Sequence, residues 1–364
     1  MTQAPSRFPV LDGWRAIAIS LVLWHHLTTG FYGAESAYYG QSASQLGAFG
    51  VDIFFGLSGL LITALLLREH RRKGSISLAG FYTRRAFRIL PPCFAFLLVA
   101  SLLGLLHSPW ELASCVAFFR NYLPVSLGGF YTGHLWSLAV EEHFYLLWPA
   151  ALVWLVARNA RAQAVACLSI FFGLWRIVDA QTGATARWLG QVSPHFRSDL
   201  RADALLWGCF VAFLLAPEGA TEKVRKALSA PVTAFLAAAA VGCVILYSLL
   251  SGLWLAMLIP IVIAGTMLHP EWAFCRVLEL APVRFLGRIS YSLYLWQELF
   301  LTPGWTLRLG LPQQWPWNLL ATFAAATASY YLIEKPCIRL GREWLSQEPQ
   351  FVTREIPNVG ENRG

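Results

Sequence analysis

Ten stretches of the chain are apolar over enough residues to cross a bilayer as helices, near 13–30, 48–67, 89–107, 135–157, 162–178, 201–216, 231–249, 252–268, 283–301 and 316–334. About twenty residues rising 1.5 Å each span a hydrocarbon core of roughly 30 Å. A segment in lipid has to satisfy its own backbone hydrogen bonds, so this repetition predicts an all-α integral membrane protein, a bundle of about ten transmembrane helices. The rest of the composition agrees. Charged residues make up 13% of the chain and hydrophobic ones 57%, with a mean hydropathy of +0.52, whereas soluble domains carry about a quarter charged residues. Sixteen tryptophans suit a protein whose indoles settle at the water–lipid boundary.

Basic residues set the expected orientation. With the N-terminus in the cytoplasm, Arg68, Arg71, Arg72, Lys73, Arg84, Arg85 and Arg88 fall inside, as do Arg158, Arg161, the Lys223–Lys226 cluster, Arg276, Arg284 and the tail from Lys335. The opposite loops hold Arg120, Arg176, Arg187, Arg197, Arg201 and Arg308. Both termini are therefore expected inside, with tails at 1–12 and 336–364 around a membrane domain at 13–335. The net charge of +8 reflects this topology and not nucleic-acid binding. No cleavable leader is expected: MTQAPSRFPVLDG is short and polar, and the first span lacks a small-residue exit. The segment 111–123 (ELASCVAFFRNYL) is too short to cross and reads as an interfacial helix in an external loop. The seven cysteines are scattered without a C-x-x-C, which argues for small buried hydrophobes and against a disulfide framework or a zinc site.

Ionisable groups inside apolar spans are costly and mark reaction sites or polar paths. Arg15 and His26 lie eleven residues apart in LDGWRAIAISLVLWHH, which returns them to within about 20° on one helix face, roughly 16 Å apart. A neutral imidazole can take up a proton near physiological pH; the structural alternative is a packing histidine. In TRRAFRILPP, Arg85 and Arg88 share a face, and Pro91 and Pro92 suit the first turn of the third span. Paired guanidinium groups suit phosphates, although headgroup anchoring accounts for them as well. In HLWSLAVEEHFYLLWP, Ser137 and Glu141 stack four apart, while Glu142 and His143 face elsewhere. The two carboxylates can bind an acceptor hydroxyl or relay protons, or they form a structural salt bridge to Arg201. Asp52 stands near one edge of the second span and Ser58–Gly59 at its middle, where close helix packing is the expected role. Arg201 and Asp203 read as an internal ion pair, and Glu334 as an interfacial charge or a functional one.

Taken in order, these strings resemble the integral membrane acyltransferase family 3, which O-acylates sugars and other exported molecules in bacteria. LDGWRAIAISLVLWHH and VDIFFGLSGLLIT look like its first two span motifs, RRAFRILP its Arg-x-x-Arg element, and WSLAVEEHFY its Trp-Ser-Leu…Glu…Phe-Tyr signature. SYSLYLW and IEKP are similar to its closing motifs. The resemblance runs from about residue 8 to 342. One position departs: the family often has a histidine where this chain has Gln297, an amide that cannot take a proton at neutral pH.

The resemblance implies a membrane O-acyltransferase of the bacterial inner membrane, without a tightly bound cofactor or metal. Its donor would be an acyl-CoA, in the first instance acetyl-CoA, presented from the cytoplasm. Its acceptor would be a glycan, a lipid-linked sugar or another exported alcohol. On that basis Arg85 and Arg88 are expected to hold the donor's phosphates, His26 to act as general base with Arg15 supporting the site, and Glu141 with Glu142 to position the acceptor. Direct transfer and an acyl-histidine intermediate are both compatible with these residues. The soluble esterase-like domain of some relatives is expected to be absent. The alternative from another class is a secondary transporter or exporter of a small polar metabolite, with the same charges lining an alternating-access path. Transporters often carry inverted repeats, and residues 1–180 and 181–364 show no convincing repeat.

Overall fold

The computed structural model describes residues 9–32, 39–159, 162–217, 219–246, 248–302 and 308–347. Residues 1–8 and 348–364 of the two tails, and Arg161, lie outside them. The described residues form helices and connecting turns, with no strand among them. In chain order the α-helices are α1 (Pro9–Tyr32), α2 (Tyr39–Lys73), α3 (Leu78–Leu102), α4 (Pro109–Val116), α5 (Leu135–Ala157), α6 (Ala162–Thr182), α7 (Ala186–Leu189) and α8 (Ala202–Leu215). There follow α9 (Ala220–Ala227), α10 (Ala230–Leu246), α11 (Leu249–Leu268), α12 (Ala273–Leu278), α13 (Ala281–Arg288), α14 (Ser290–Phe300), α15 (Trp317–Ser329) and α16 (Lys335–Gln347).

Helix α2 is the axis of the bundle. Its side chains Ile53, Leu57 and Leu60 on one face and Phe55, Ile62 and Leu66 on the other are all buried. A helix apolar on opposite faces is one enclosed by its neighbours, here α1, α5, α8, α10 and α11. Glycines bring α2 and α8 into backbone contact. A Cβ on Gly59 would lie 1.9 Å from the Leu205 carbonyl oxygen, and one on Gly208 would lie 2.4 Å from the Gly56 carbonyl oxygen. This is the small-residue packing by which membrane helices approach closely, and it matches the role expected of Gly59.

Among the described residues four helices are long and apolar enough to cross a membrane: 45–73 of α2, α3, α6 and 250–268 of α11. Counting α8 with α9 as one bent span makes five. The other windows resolve differently. Helices α1 and α5 have 24 and 23 residues, but Arg15, His25 and His26 in one and Glu141, Glu142 and His143 in the other lower their hydropathy. Helices α8, α10 and α14 have only 14, 17 and 11 residues, short of the ~20 needed for a full crossing.

Two local readings change. The third helix starts at Leu78, where the Ser77 hydroxyl accepts the Gly80 amide at 3.1 Å. It takes in Arg85, Arg88, Pro91 and Pro92, so the prolines lie inside the helix and not in its first turn. Near the C-terminal end, α15 runs into α16 through a π-helical turn, Tyr330–Glu334, a wide turn of the kind that recurs at functional sites. The expected short helix after the third span is α4, capped by Ser108. All seven cysteines are free, with Cys93, Cys115, Cys209 and Cys275 buried.

The α2–α8 crossing gives a test. Gly59→Ala is expected to destabilise the protein by about 1–3 kcal/mol, because its methyl group meets backbone that cannot yield. Gly242→Ala, with open space around its Cβ, is expected to stay within about 0.5 kcal/mol of the parent. Thermal unfolding of the detergent-purified variants compares the two, and equal shifts would dismiss the crossing as a constraint.

Candidate active site

Five helices converge on a small cavity of about 90 Å³. Into it face Arg15 of α1, Ser58 of α2, Arg85 and Arg88 of α3, Ser137, Glu141 and Tyr145 of α5, and Tyr291 and Tyr294 of α14. Ser58 donates its hydroxyl to Glu141 Oε1 at 2.6 Å and lies 3.1 Å from the Tyr145 hydroxyl. The Arg85 guanidinium stacks over the Tyr145 ring, 4.6 Å from its centroid. Arg15 pairs with Asp12 at 3.3 Å, whereas Arg85 and Arg88 have no ion-paired carboxylate among the described residues. Three cations thus border one small space with few of their donors engaged, an arrangement suited to a polyanion. Glu334, buried at the π turn, accepts from Ser292 at 2.9 Å, and the charges of Arg88 and Arg15 act on it. It is an internal carboxylate, not an interfacial one.

The other face-mate on α1 belongs to a second cavity, of about 990 Å³, whose walls include His25, His26, Arg120, His134, Trp136, Phe196, Tyr294, Glu298 and Arg308. Its polar centre is the Glu298 carboxylate, held between two imidazoles. Oε2 accepts from the backbone amide of His134 at 3.2 Å and contacts His134 Nδ1 at 2.8 Å. A carboxylate can only accept, so Nδ1 carries the proton of that ring. Oε1 lies 3.6 Å from His26 Nε2. Both acid and base are largely enclosed, with side-chain exposures of 5% for Glu298 and 15% for His26. An imidazole with a buried carboxylate at its back is equipped to take up a proton and to stabilise the cation formed.

Tyr294 lines both cavities. Its hydroxyl donates to the His134 carbonyl oxygen at 2.5 Å and lies 2.6 Å from Ser137 Oγ. Arg15 and His26, on one face of α1, therefore serve two adjoining chambers.

The family model described as an acyltransferase domain matches residues 8–334. The chain belongs to this acyltransferase family. Among its relatives, the peptidoglycan O-acetyltransferase OatA of Listeria monocytogenes is 27% identical over 92% of this chain and 56% of its own length. The O-acetyltransferase OatA of Staphylococcus aureus is 27% identical over 93% of this chain and 58% of its own. The chain thus spans little more than half the length of these relatives. No solved structure matches it.

Four other buried or half-buried charged residues form a separate group. Arg201 pairs with Asp52 of α2, not with Asp203, and stacks against Phe55 and Trp136. Asp203 instead faces Arg176 of α6 at 3.1 Å. Side chains two residues apart at a helix start point about 200° apart, nearly opposite ways, so Arg201 and Asp203 reach different neighbours. The α2–α8 crossing brings Asp52 within reach of Arg201. Neither Glu141 nor Glu142 pairs with Arg201; Glu141 belongs to the arginine cavity, away from His26, and Glu142 Oε1 is buried without a partner. Ser58 faces Glu141 although packing alone was expected of it. His143 Nδ1 meets Ser198 Oγ at 2.6 Å. Gln297 is fully buried with both amide atoms unpartnered, and the ionisable group of that motif is its neighbour Glu298. Glu298, His134 and Tyr294 escaped the sequence reading. The first two carried a usable signal, an ionisable residue in an apolar stretch.

The segment bearing Phe196 is fixed by Arg197, which pairs with Asp179 at 3.1 Å and with Asp199 at 2.5 Å. Burial works to raise the Asp199 carboxyl, but hydrogen bonds from Arg197 and Trp175 outweigh it and hold the group below its ordinary value. A depressed acid stabilises the fold above its ordinary pKa, and that contribution is lost as pH falls through the folded value. The parent is expected to lose melting temperature between about pH 5 and about pH 3, and Asp199→Asn to lose less over that interval. Parallel melting curves for the two proteins would rule out this contribution.

Proposed function

We propose that the chain transfers an acyl group from an acyl-CoA to a hydroxyl of an exported glycan or lipid-linked sugar. The observation carrying this reading is the pair of adjoining cavities, one ringed by Arg15, Arg85 and Arg88 and the other centred on His26 and Glu298. The first has the charge to grip the donor's phosphates, with the pantetheine arm extending towards the second. The second has the volume for a sugar and a base for its hydroxyl. The relatives' names favour acetyl as the group and a glycan as the acceptor. The distribution of basic residues favours an inner-membrane protein whose Arg85 end faces the cytoplasm.

In the transfer, the acceptor hydroxyl gives its proton to the His26 imidazole as its oxygen bonds to the thioester carbonyl carbon. The C–S bond then breaks, and the coenzyme A thiolate leaves and recovers the proton. Glu298 stabilises the transient imidazolium. Glu141, bonded to Ser58 and near Arg85, organises the donor side in this reading and does not receive the acceptor.

Purified membranes given acyl-labelled coenzyme A test the proposal by movement of label into an alkali-labile lipid or glycan fraction. His26→Ala is expected to lower turnover by roughly a hundredfold or more, the usual contribution of a general base. Glu298→Gln, which keeps the shape but not the charge, is expected to lower kcat by about tenfold. Arg85→Ala should raise the donor KM by about tenfold or more, as loss of a charge-assisted bond implies. Normal transfer by His26→Ala would remove the base assignment. Uptake of an unmodified metabolite into proteoliposomes without donor consumption would restore the transporter reading.

A further inference from the structure

Tyr294 is the side chain common to both cavities, and its place between them carries a consequence for how the two substrates meet. The residue is 8% exposed although it borders two open spaces. The phenol has one proton. That proton goes to the His134 carbonyl oxygen at 2.5 Å, so the 2.6 Å contact with Ser137 is a bond donated by Ser137 Oγ to the phenol oxygen. Both partners are at the start of α5, within one turn of each other, and the His134 ring closes edge-on against the tyrosine with centroids 5.3 Å apart. The aromatic ring is thus pinned at its tip from one helix and at its base by α14.

We propose that Tyr294 is a positioning residue that bars the passage between the arginine cavity and the His26 cavity, and that it swings off Ser137 and His134 to let a donor's acyl end through. The tyrosine acts on the chemistry through access: in place, it keeps water in the larger cavity from a thioester held by the arginines. Displaced by the incoming arm, it admits the acyl carbon to the side where His26 and Glu298 stand. The barrier is a property of the two cavities; its use for acyl passage rests on the acyltransferase reading above.

The test measures the barrier without measuring turnover. Ser58→Cys puts a thiol in the arginine cavity, in a background where the less buried Cys167, Cys243 and Cys337 are changed to serine. A membrane-impermeant methanethiosulfonate reagent is then applied separately to each face of sealed vesicles, with Tyr294 intact, as Tyr294→Phe and as Tyr294→Ala. With Tyr294→Ala, labelling from one face is expected to rise about tenfold or more, while labelling from the other changes little. Tyr294→Phe keeps the ring and loses two hydrogen bonds, and should raise labelling from the same face by about threefold to tenfold. Because Tyr294→Phe retains the packing volume, it keeps the proposal falsifiable should the alanine variant fail to fold. Unchanged labelling from both faces in a folded variant would overturn the barrier. Acetyl-CoA consumption is scored separately on membranes carrying the parent chain with Ser58 and Tyr294 intact: labelling that follows the expectation without donor consumption by the parent would refute the acyltransferase reading and leave the barrier standing.

Discussion

Backbone contact between α2 and α8 is the constraint on which the rest of the structure depends. Gly59 and Gly208 remove the side chains that would otherwise hold the two helices apart. At that separation Asp52 meets Arg201, and neither charge is left facing an apolar wall. The same crossing fixes the rotation of α2, which presents Gly59 to α8 and Ser58 to Glu141 of α5. Adjacent residues on one helix thus do unrelated work, one by having no side chain and the other by pointing a hydroxyl the opposite way. Lipid supplies no hydrophobic force between helices, so close packing of this kind and the buried ion pairs beside it have to hold the bundle together.

Charge is gathered unevenly around that frame. The cavity of about 90 Å³ gathers Arg15, Arg85 and Arg88, with Glu141 and Glu334 as their internal counter-charges. Around the cavity of about 990 Å³ the central charge is the Glu298 carboxylate. Removing a charge from water is expensive unless it is paired and hydrogen-bonded, which accounts for the two bonds that His134 makes to Glu298. The two arginines without an ion-paired partner are the exception. Both residues are half-buried, lining the small cavity, and the Arg85 guanidinium is in part compensated by the Tyr145 ring on which it stacks.

Much of this was legible in the sequence wherever the relation was local. Eleven residues between Arg15 and His26, three between Arg85 and Arg88, and four between Ser137 and Glu141 each fix a shared helix face, and helical geometry alone delivers it. The motifs carried family membership as well. Partnerships across helices were not legible. Arg201 and Asp203, two residues apart, suggested a pair, yet each found a partner on another helix, because a spacing of two at a helix start sends side chains nearly opposite ways. Hydropathy windows also misjudged the helix ends. They began the third helix at its apolar part, near 89, whereas the Ser77 cap starts it at Leu78, and so they put in its first turn two prolines that lie well inside the helix.

The substitution at Gln297 finds its physical meaning one residue further on. An amide there cannot ionise, and its side chain is enclosed with neither amide atom bonded, so it adds no charge to the larger cavity. Glu298 supplies that charge from the next position of α14, about 100° around the helix. Its two oxygens divide the work. Oε2 takes both the amide and the ring proton of His134, which locks the carboxylate's orientation to the start of α5. Oε1 is left directed at His26 Nε2, 3.6 Å away, longer than a made hydrogen bond. Such a gap tightens when the imidazole gains a proton, because attraction between opposite charges in an enclosed site grows as they approach. His134 thus anchors the acid, and the anchored acid is set to attract His26 most strongly whenever that imidazole carries a proton.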